Sequence, residues 1–172
     1  MARDRDEDIT FRDLAIGDAG WLIAQHAELY AASDGFDATF EALVARILAD
    51  FIEHRQAPVE RAWIAWRGDQ RLGSIFCVKG GSPGVAKLRM FLLVPAARGH
   101  GLGRQLLHLC VDHARAQGFR ELTLWTHESH RAACALYKAT GFRCTASRPV
   151  HSFGVDMVEQ EWRLDLSQSE ER

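Results

Sequence analysis

The sequence contains no run of the roughly 18 apolar residues that a membrane-spanning helix needs, so no span is expected. It also has no surplus of basic charge: 21 Lys and Arg stand against 23 Asp and Glu, a net charge of −2. That excludes a general cationic field for nucleic acid, because neutralising phosphates requires a Lys/Arg excess on the binding face. Residues 1–8 alternate acid and base and predict no apolar signal core. The four cysteines, Cys77, Cys110, Cys134 and Cys144, form no C-x-x-C pair and match no zinc spacing with the histidines. No metal site is expected, and the thiols read as reduced and buried in a cytoplasmic protein. Core-forming residues are plentiful. Five Trp, nine Phe and 47% apolar residues in 172 exclude disorder and predict one domain over 1–172, its core at about 9–166 between polar tails.

Periodicity along the chain predicts a first strand over 9–13 and a helix over 18–30, broken at Asp34-Gly35. A second helix, capped by Asp37, carries Phe40, Leu43, Val44, Ile47, Leu48, Phe51 and Ile52 on one stripe, with Glu41, Arg46 and Asp50 off it. Residues 61–67 and 72–79 read as a hairpin turned at Gly68-Asp69, and residues 80–84 as a loop. The nearly continuous apolar run 88–94 predicts a strand covered on both faces, ended by Pro95. A helix over 103–117 closes at Gly118. Leu122, Leu124 and Thr126 alternate as a strand, Ser129 is placed to cap a helix over 130–140, and residues 142–147 and 159–166 read as two final strands. A strand, a helix and a parallel strand in mid-chain imply a β-α-β crossover. The fold class is therefore α/β with a mixed, mostly antiparallel sheet of about seven strands and helices on both faces.

The chemistry gathers at Arg98-Gly99-His100-Gly101-Leu102-Gly103-Arg104, between strand and helix. Glycines at alternate positions let the backbone approach a ligand closely. The helix that follows adds unpaired first-turn N–H groups and the positive end of its dipole, which together suit a phosphate. The spelling is neither G-x-G-x-x-G, since Arg104 stands where the third glycine would be, nor a G-K-[ST] phosphate loop. The plain alternative is a tight turn that needs glycine for geometry alone.

Arg98-x-x-Gly101-x-Gly103, preceded by Leu93-x-Pro95, resembles the acetyl-CoA signature of the GNAT acyltransferases. Downstream, Ala133, Leu136-Tyr137 and Gly141-Phe142 are similar to that family's A-x-x-L-Y-x-x-x-G-F segment. Trp21, His151-Ser152-Phe153-Gly154 and Val158-Glu159-Gln160 resemble the acetyltransferase halves of fused MarR-type regulators. The family resemblance implies a GNAT-like fold and acetyl-CoA as cofactor. The backbone of Phe91, Leu92 and Leu93 would bind the pantetheine arm as an added strand. Arg98, Gly99, His100, Gly101, Leu102, Gly103 and Arg104 would hold the pyrophosphate, with His130 and Ala133 beside the arm. Tyr137 would be the catalytic general acid toward the leaving sulfur; a core aromatic is the alternative.

Two positions depart from the family pattern. His130 stands where members often carry Asn, and Trp125 where some carry a glutamate base. Glu128, His127, His26 and His151 are the alternative bases, and water is another. Arg89, a charge inside an apolar strand, needs a partner or a cleft. It would meet either a substrate carboxylate or an internal acid such as Glu28. Tyr30, Arg89, Trp125, His151 and Phe153 are the candidate acceptor-binding residues, the last two on a lid between the final strands. No Cys lies in either motif, so a covalent enzyme intermediate has no support. The expectation is direct N-acetylation of a primary amine, more in keeping with a small acceptor than a protein; dimers are common in similar proteins. A catalytically weak CoA-binding regulatory module is the alternative.

Overall fold

The computed structural model describes residues 8–167, so the expected polar tails, 1–8 and 167–172, lie outside the described residues except for Asp8 and Ser167. In chain order the elements are β1 (Ile9–Arg12), α1 (Asp18–Asp34), α2 (Ala38–His54), β2 (Arg61–Arg67), β3 (Gln70–Lys79), β4 (Val85–Leu93), α3 (Leu102–Ala116), β5 (Glu121–His127), α4 (Arg131–Thr140), β6 (Arg143–Ser152) and β7 (Val155–Asp165). The strands form one seven-stranded sheet in the order β1-β2-β3-β4-β5-β7-β6. Every neighbouring pair is antiparallel except β4 and β5, which α3 joins as a crossover. The mixed, mostly antiparallel α/β architecture read from the sequence is the one observed.

Two apolar layers hold the sheet. On one face α1 and α2 bury Leu22, Val44, Leu48 and Phe51 against Ile64, Phe76 and Leu92. On the other, α3 and α4 bury Leu106, Leu107, Cys110 and Tyr137 against Ile75, Leu88, Leu122 and Leu124. Each fully buried Leu or Phe contributes about 1.5–3 kcal/mol of transfer free energy. The α2 stripe holds as far as Phe51, but Ile52 faces solvent at 56% exposure. It lies one position past the arc that a straight helix can turn toward the sheet.

Several boundaries differ from expectation. β6 and β7 run on to a two-residue turn, Phe153-Gly154, so His151 belongs to β6 rather than to a connection. Ser129 does not cap α4: His130 occupies the N-cap and makes no capping bond. Cys77 and Cys110 are buried, whereas Cys134 is half-buried and Cys144 exposed, and all four are free thiols. Among the described residues no helix is long and apolar enough to cross a membrane, and no cluster of His, Cys, Asp or Glu could hold a metal ion.

Candidate active site

β4 and β5 pair only through Val85–Glu121, Ala86–Leu122 and Lys87–Thr123. From Leu88 onward β4 has no partner on that side, though it stays bonded to β3 as far as Leu93. A β-bulge marks the divergence. Ser74 pairs Leu92 and Phe76 pairs Arg89, leaving Met90 and Phe91 together opposite Ile75. Met90 takes a left-handed φ of 50°, and the Ser74 hydroxyl donates to its carbonyl at 2.6 Å. The extra residue reverses the alternation of the strand. Met90 and Leu92 point toward α1 and α2, Phe91 and Leu93 toward α3 and α4. An open stretch of strand edge, flanked by Phe91 and Leu93, is the result.

Beyond it the chain makes one 3-10 turn, Pro95–Ala97, and enters the glycine loop. Gly99 and Gly101 have φ of 81° and 80°, and a Cβ on either would meet open space. α3 starts without a side-chain cap. The first α3 amide to reach a carbonyl is that of Gln105, bonded to Gly101 at 3.1 Å, which leaves the N–H groups of Leu102, Gly103 and Arg104 free. Arg98, His100 and Arg104 are exposed around this positive end, while Leu102 is buried beneath it. At Gly103 a Cβ would sit 3.2 Å from Leu93 Cδ1 and 3.6 Å from Phe91 Cζ. Glycine at that position lets the start of α3 pack closely on the Leu93 and Phe91 side chains.

Tyr137 closes the far end of the opening. Its ring lies 6.1 Å from Phe91, 5.6 Å from Phe142 and 6.2 Å from Trp162. The residue is 4% exposed, and its hydroxyl makes no hydrogen bond to another side chain or backbone group among the described residues. Burial, with the phenol of Tyr30 and two thiols nearby, raises it well above its ordinary value and keeps it protonated. Ala133, one turn earlier on α4, packs against the same apolar layer.

A second group assembles from distant segments. Tyr30 on α1 touches Phe36, Phe40 and His130, at ring separations of 5.6, 4.9 and 4.9 Å. Phe153 packs on Phe36 and Phe40 at 5.0 Å each, and Asp37 N donates to Phe153 O. The expected lid is therefore a wall clamped to the α1–α2 junction. Asp34, at the end of α1, accepts from His130 Nε2 at 3.2 Å and from the Ser129 hydroxyl at 3.1 Å. Burial raises the Asp34 carboxyl, but bonds from Ser33, His130 and Ser129 more than offset this and hold it below the usual carboxylate range. Burial also pushes the Tyr30 phenol up to about 12, with Asp34 adding to the rise and Arg98 opposing it. His127 stands edge-on to Phe36 and His130, its Nδ1 buried without a partner. A cleft of about 390 Å³ opens beside these groups, lined by Asp34, Phe36, His127, Glu128, Asp156 and Met157 among others.

The remaining expected acceptor residues lie elsewhere. Arg89 is half-buried in a separate cleft with Ile47, Asp50 and Phe76, shares no lining residue with the first, and forms no ion pair among the described residues; its electrostatic neighbour is Asp50 rather than Glu28. Trp125 is 41% exposed on the uncovered part of the sheet, beneath the Arg148 guanidinium at 5.4 Å. His151 is exposed and paired with Asp156 at 2.7 Å. His26 is buried against Leu22 and Tyr30, away from any cleft. Leu92 can offer only backbone, since its side chain is buried on the α1–α2 side. Asp34, Phe36 and Phe40 escaped the sequence reading. Asp34 lies 96 positions from the His130 it binds, and no local spacing signals such a pair.

Comparison with known proteins places this geometry. A model of the acetyltransferase (GNAT) family matches residues 23–142. A mycothiol acetyltransferase of Geodermatophilus obscurus is 36% identical over 86 residues, covering 46% of this chain; the chain spans only 28% of that relative. The ribosomal-protein-S18-alanine N-acetyltransferase of Escherichia coli superposes with a TM-score of 0.68 at 21% identity, covering 96% of this chain and 98% of that one. The yncA structure from Salmonella typhimurium, solved with its cofactor acetyl-CoA, gives 0.68 at 18% identity over 96% and 98%. At these identities the two structures speak for the fold, and the family match spans the divergent strands, the glycine loop and the tyrosine helix together. The chain belongs to the acetyltransferase (GNAT) family.

Proposed function

We propose that the chain transfers acetyl from acetyl-CoA to a primary amine of a small acceptor, by direct attack with both substrates bound. The observation that carries this is the open edge of β4, which leads from the uncapped start of α3 to the Tyr137 hydroxyl. Acetyl-CoA supplies an activated acyl thioester when bound. The residues present suit it: free amides of Leu102, Gly103 and Arg104, with Arg98 nearby, for diphosphate; the β4 edge from Leu88 to Leu92 that β5 leaves unpaired for an amide-bearing arm. Gly99 and Gly101 keep the approach clear.

Tyr137 would hydrogen-bond the departing sulfur and then give it a proton. A buried phenolate is costly, so that proton leaves only as one shed by the acceptor nitrogen replaces it. The chain also stands near the transferase halves of fused MarR-type regulators by Trp21, residues 151–154 and residues 158–160; Val158 borders the acceptor cleft. A cytoplasmic setting accords with the free thiols.

Calorimetry with acetyl-CoA is the first test, and no binding at millimolar cofactor overturns the proposal. CoA release is then followed over a panel of diverse amines. Tyr137→Phe should lower turnover by about 10²-fold while cofactor affinity is kept. Binding without release from any amine would favour the regulatory module instead.

A further inference from the structure

The geometry points to His130 Nδ1 as the group that takes the acceptor's proton, with Asp34 as the positioning residue behind it; this rests on the acetyl-transfer proposal above. His130 Nε2 lies 3.2 Å from Asp34 Oδ2, and the other Asp34 oxygen accepts the Ser129 hydroxyl. These bonds keep Asp34 ionised, and an ionised carboxylate only accepts, so Nε2 must be the donor. The neutral ring then carries its proton on Nε2 and leaves Nδ1 bare. Nδ1 has no partner in the described protein and is not sealed from water. The side chains of the pair are 20% and 12% exposed, so the carboxylate is shielded while the ring can still be reached.

Position supports the assignment. His130 is the N-cap of α4, seven residues or about two turns before Tyr137. Tyr30 bridges them, its ring 4.9 Å from His130 and its phenol felt electrostatically at Tyr137. The ionisable groups around His130 are Asp34 and Tyr30 from α1, His127 at the end of β5, Arg131 on α4, Glu128 before it and Asp156 across the cleft. Of these only Asp34 hydrogen-bonds the ring. The other candidates are less well oriented: His127 and Glu128 line the cleft, but no side-chain hydrogen bond among the described residues orients either, and the ring of His151 is tied to Asp156.

In the step itself, one proton passes from the acceptor ammonium to Nδ1, and Asp34 balances the imidazolium. The freed lone pair forms the C–N bond as the C–S bond opens, Tyr137 protonates sulfur, the second nitrogen proton restores the phenol, and His130 returns its proton to solvent.

The test separates a base from a structural or cofactor-holding side chain. With the most active amine from the panel, wild type should show a rate limb that rises with pH. His130→Asn keeps a hydrogen-bonding side chain of similar reach but cannot titrate. It should lose that limb and about 10²-fold in turnover, with acetyl-CoA affinity within about twofold. Asp34→Asn should move the limb to lower pH with a smaller loss. Wild-type turnover and profile in His130→Asn overturn the assignment. A second measurement needs no acceptor: ¹⁵N-histidine NMR of the intact chain should show neutral His130 protonated at Nε2, and a proton on Nδ1 overturns it. Absence of acetyl-CoA binding by wild type would instead sink the acetyl-transfer proposal.

Discussion

Acid should loosen this fold through one ring. His26 is 3% exposed within α1, its Nδ1 donates to Leu22 O at 2.7 Å, and its face stacks on Tyr30 at 6.1 Å. Burial holds it down from 6.5 to about 4, only partly opposed by the Leu22 bond. The folded value is the depressed one. The neutral ring's contribution is therefore complete above pH 6.5 and is lost as the pH falls from 6.5 through 4. At about 1.4 kcal/mol per pKa unit that is on the order of 3 kcal/mol, or roughly 6–12 °C in Tm for a chain of this length. Differential scanning calorimetry between pH 7.5 and 4 reads it, wild type against His26→Leu. Leucine fills much of the ring's volume, and Leu22 O keeps its helical partner, so the variant should show a much shallower acid slope. The depressed carboxylates, Asp13, Asp34, Asp37 and Asp165, give up their contribution only below about pH 4 and stay out of the window. His127, also depressed chiefly by burial, adds to the slope in both proteins. Parallel acid slopes in the two proteins would refute the assignment of a buried neutral ring.

Two further outcomes are expected. Gly73→Ala and Gly20→Ala should differ in sign: a Cβ at Gly73 falls 2.3 Å from Leu92 O and forces β3 from β4, costing about 1–3 kcal/mol. At Gly20 in α1 it meets nothing and should gain about 0.5–1 kcal/mol. Thermal melts compare them, and the Gly73 variant should also bind acetyl-CoA more weakly. Arg89→Met, removing a half-buried cation without an ion pair, should leave thermal stability within about 0.5 kcal/mol or raise it. CoA release should be unchanged as well; a loss confined to carboxylate-bearing amines would return Arg89 to acceptor recognition.

The order of strands and helices was legible in the sequence because it is written in local periodicity. The α2 stripe, the apolar run of β4 and the glycines closing α1, α3 and α4 each act over a few residues. The glycine loop was legible for the same reason: conformational freedom and an uncapped helix start are properties of adjacent positions. What sequence could not register was the bulge at Met90. It adds one residue to an apolar strand, leaves composition unchanged, and depends on where β3 lies and on Ser74. That one residue turns Phe91 and Leu93 toward α3 and α4 where β4 leaves β5.

The acceptor side was decided by tertiary structure alone. Asp34 looked like a helix terminator and Ser129 like a cap, yet folding joins their side chains to each other and Asp34 to His130. Arg89 and Trp125 looked like recognition residues because their chemistry is unusual for a strand; the sheet places Arg89 in a separate cleft, and Trp125 lines neither cleft. Local pattern specifies which backbone shapes can form. Which side chains then face one another depends on a sheet that brings residues nearly a hundred positions apart into hydrogen-bonding range.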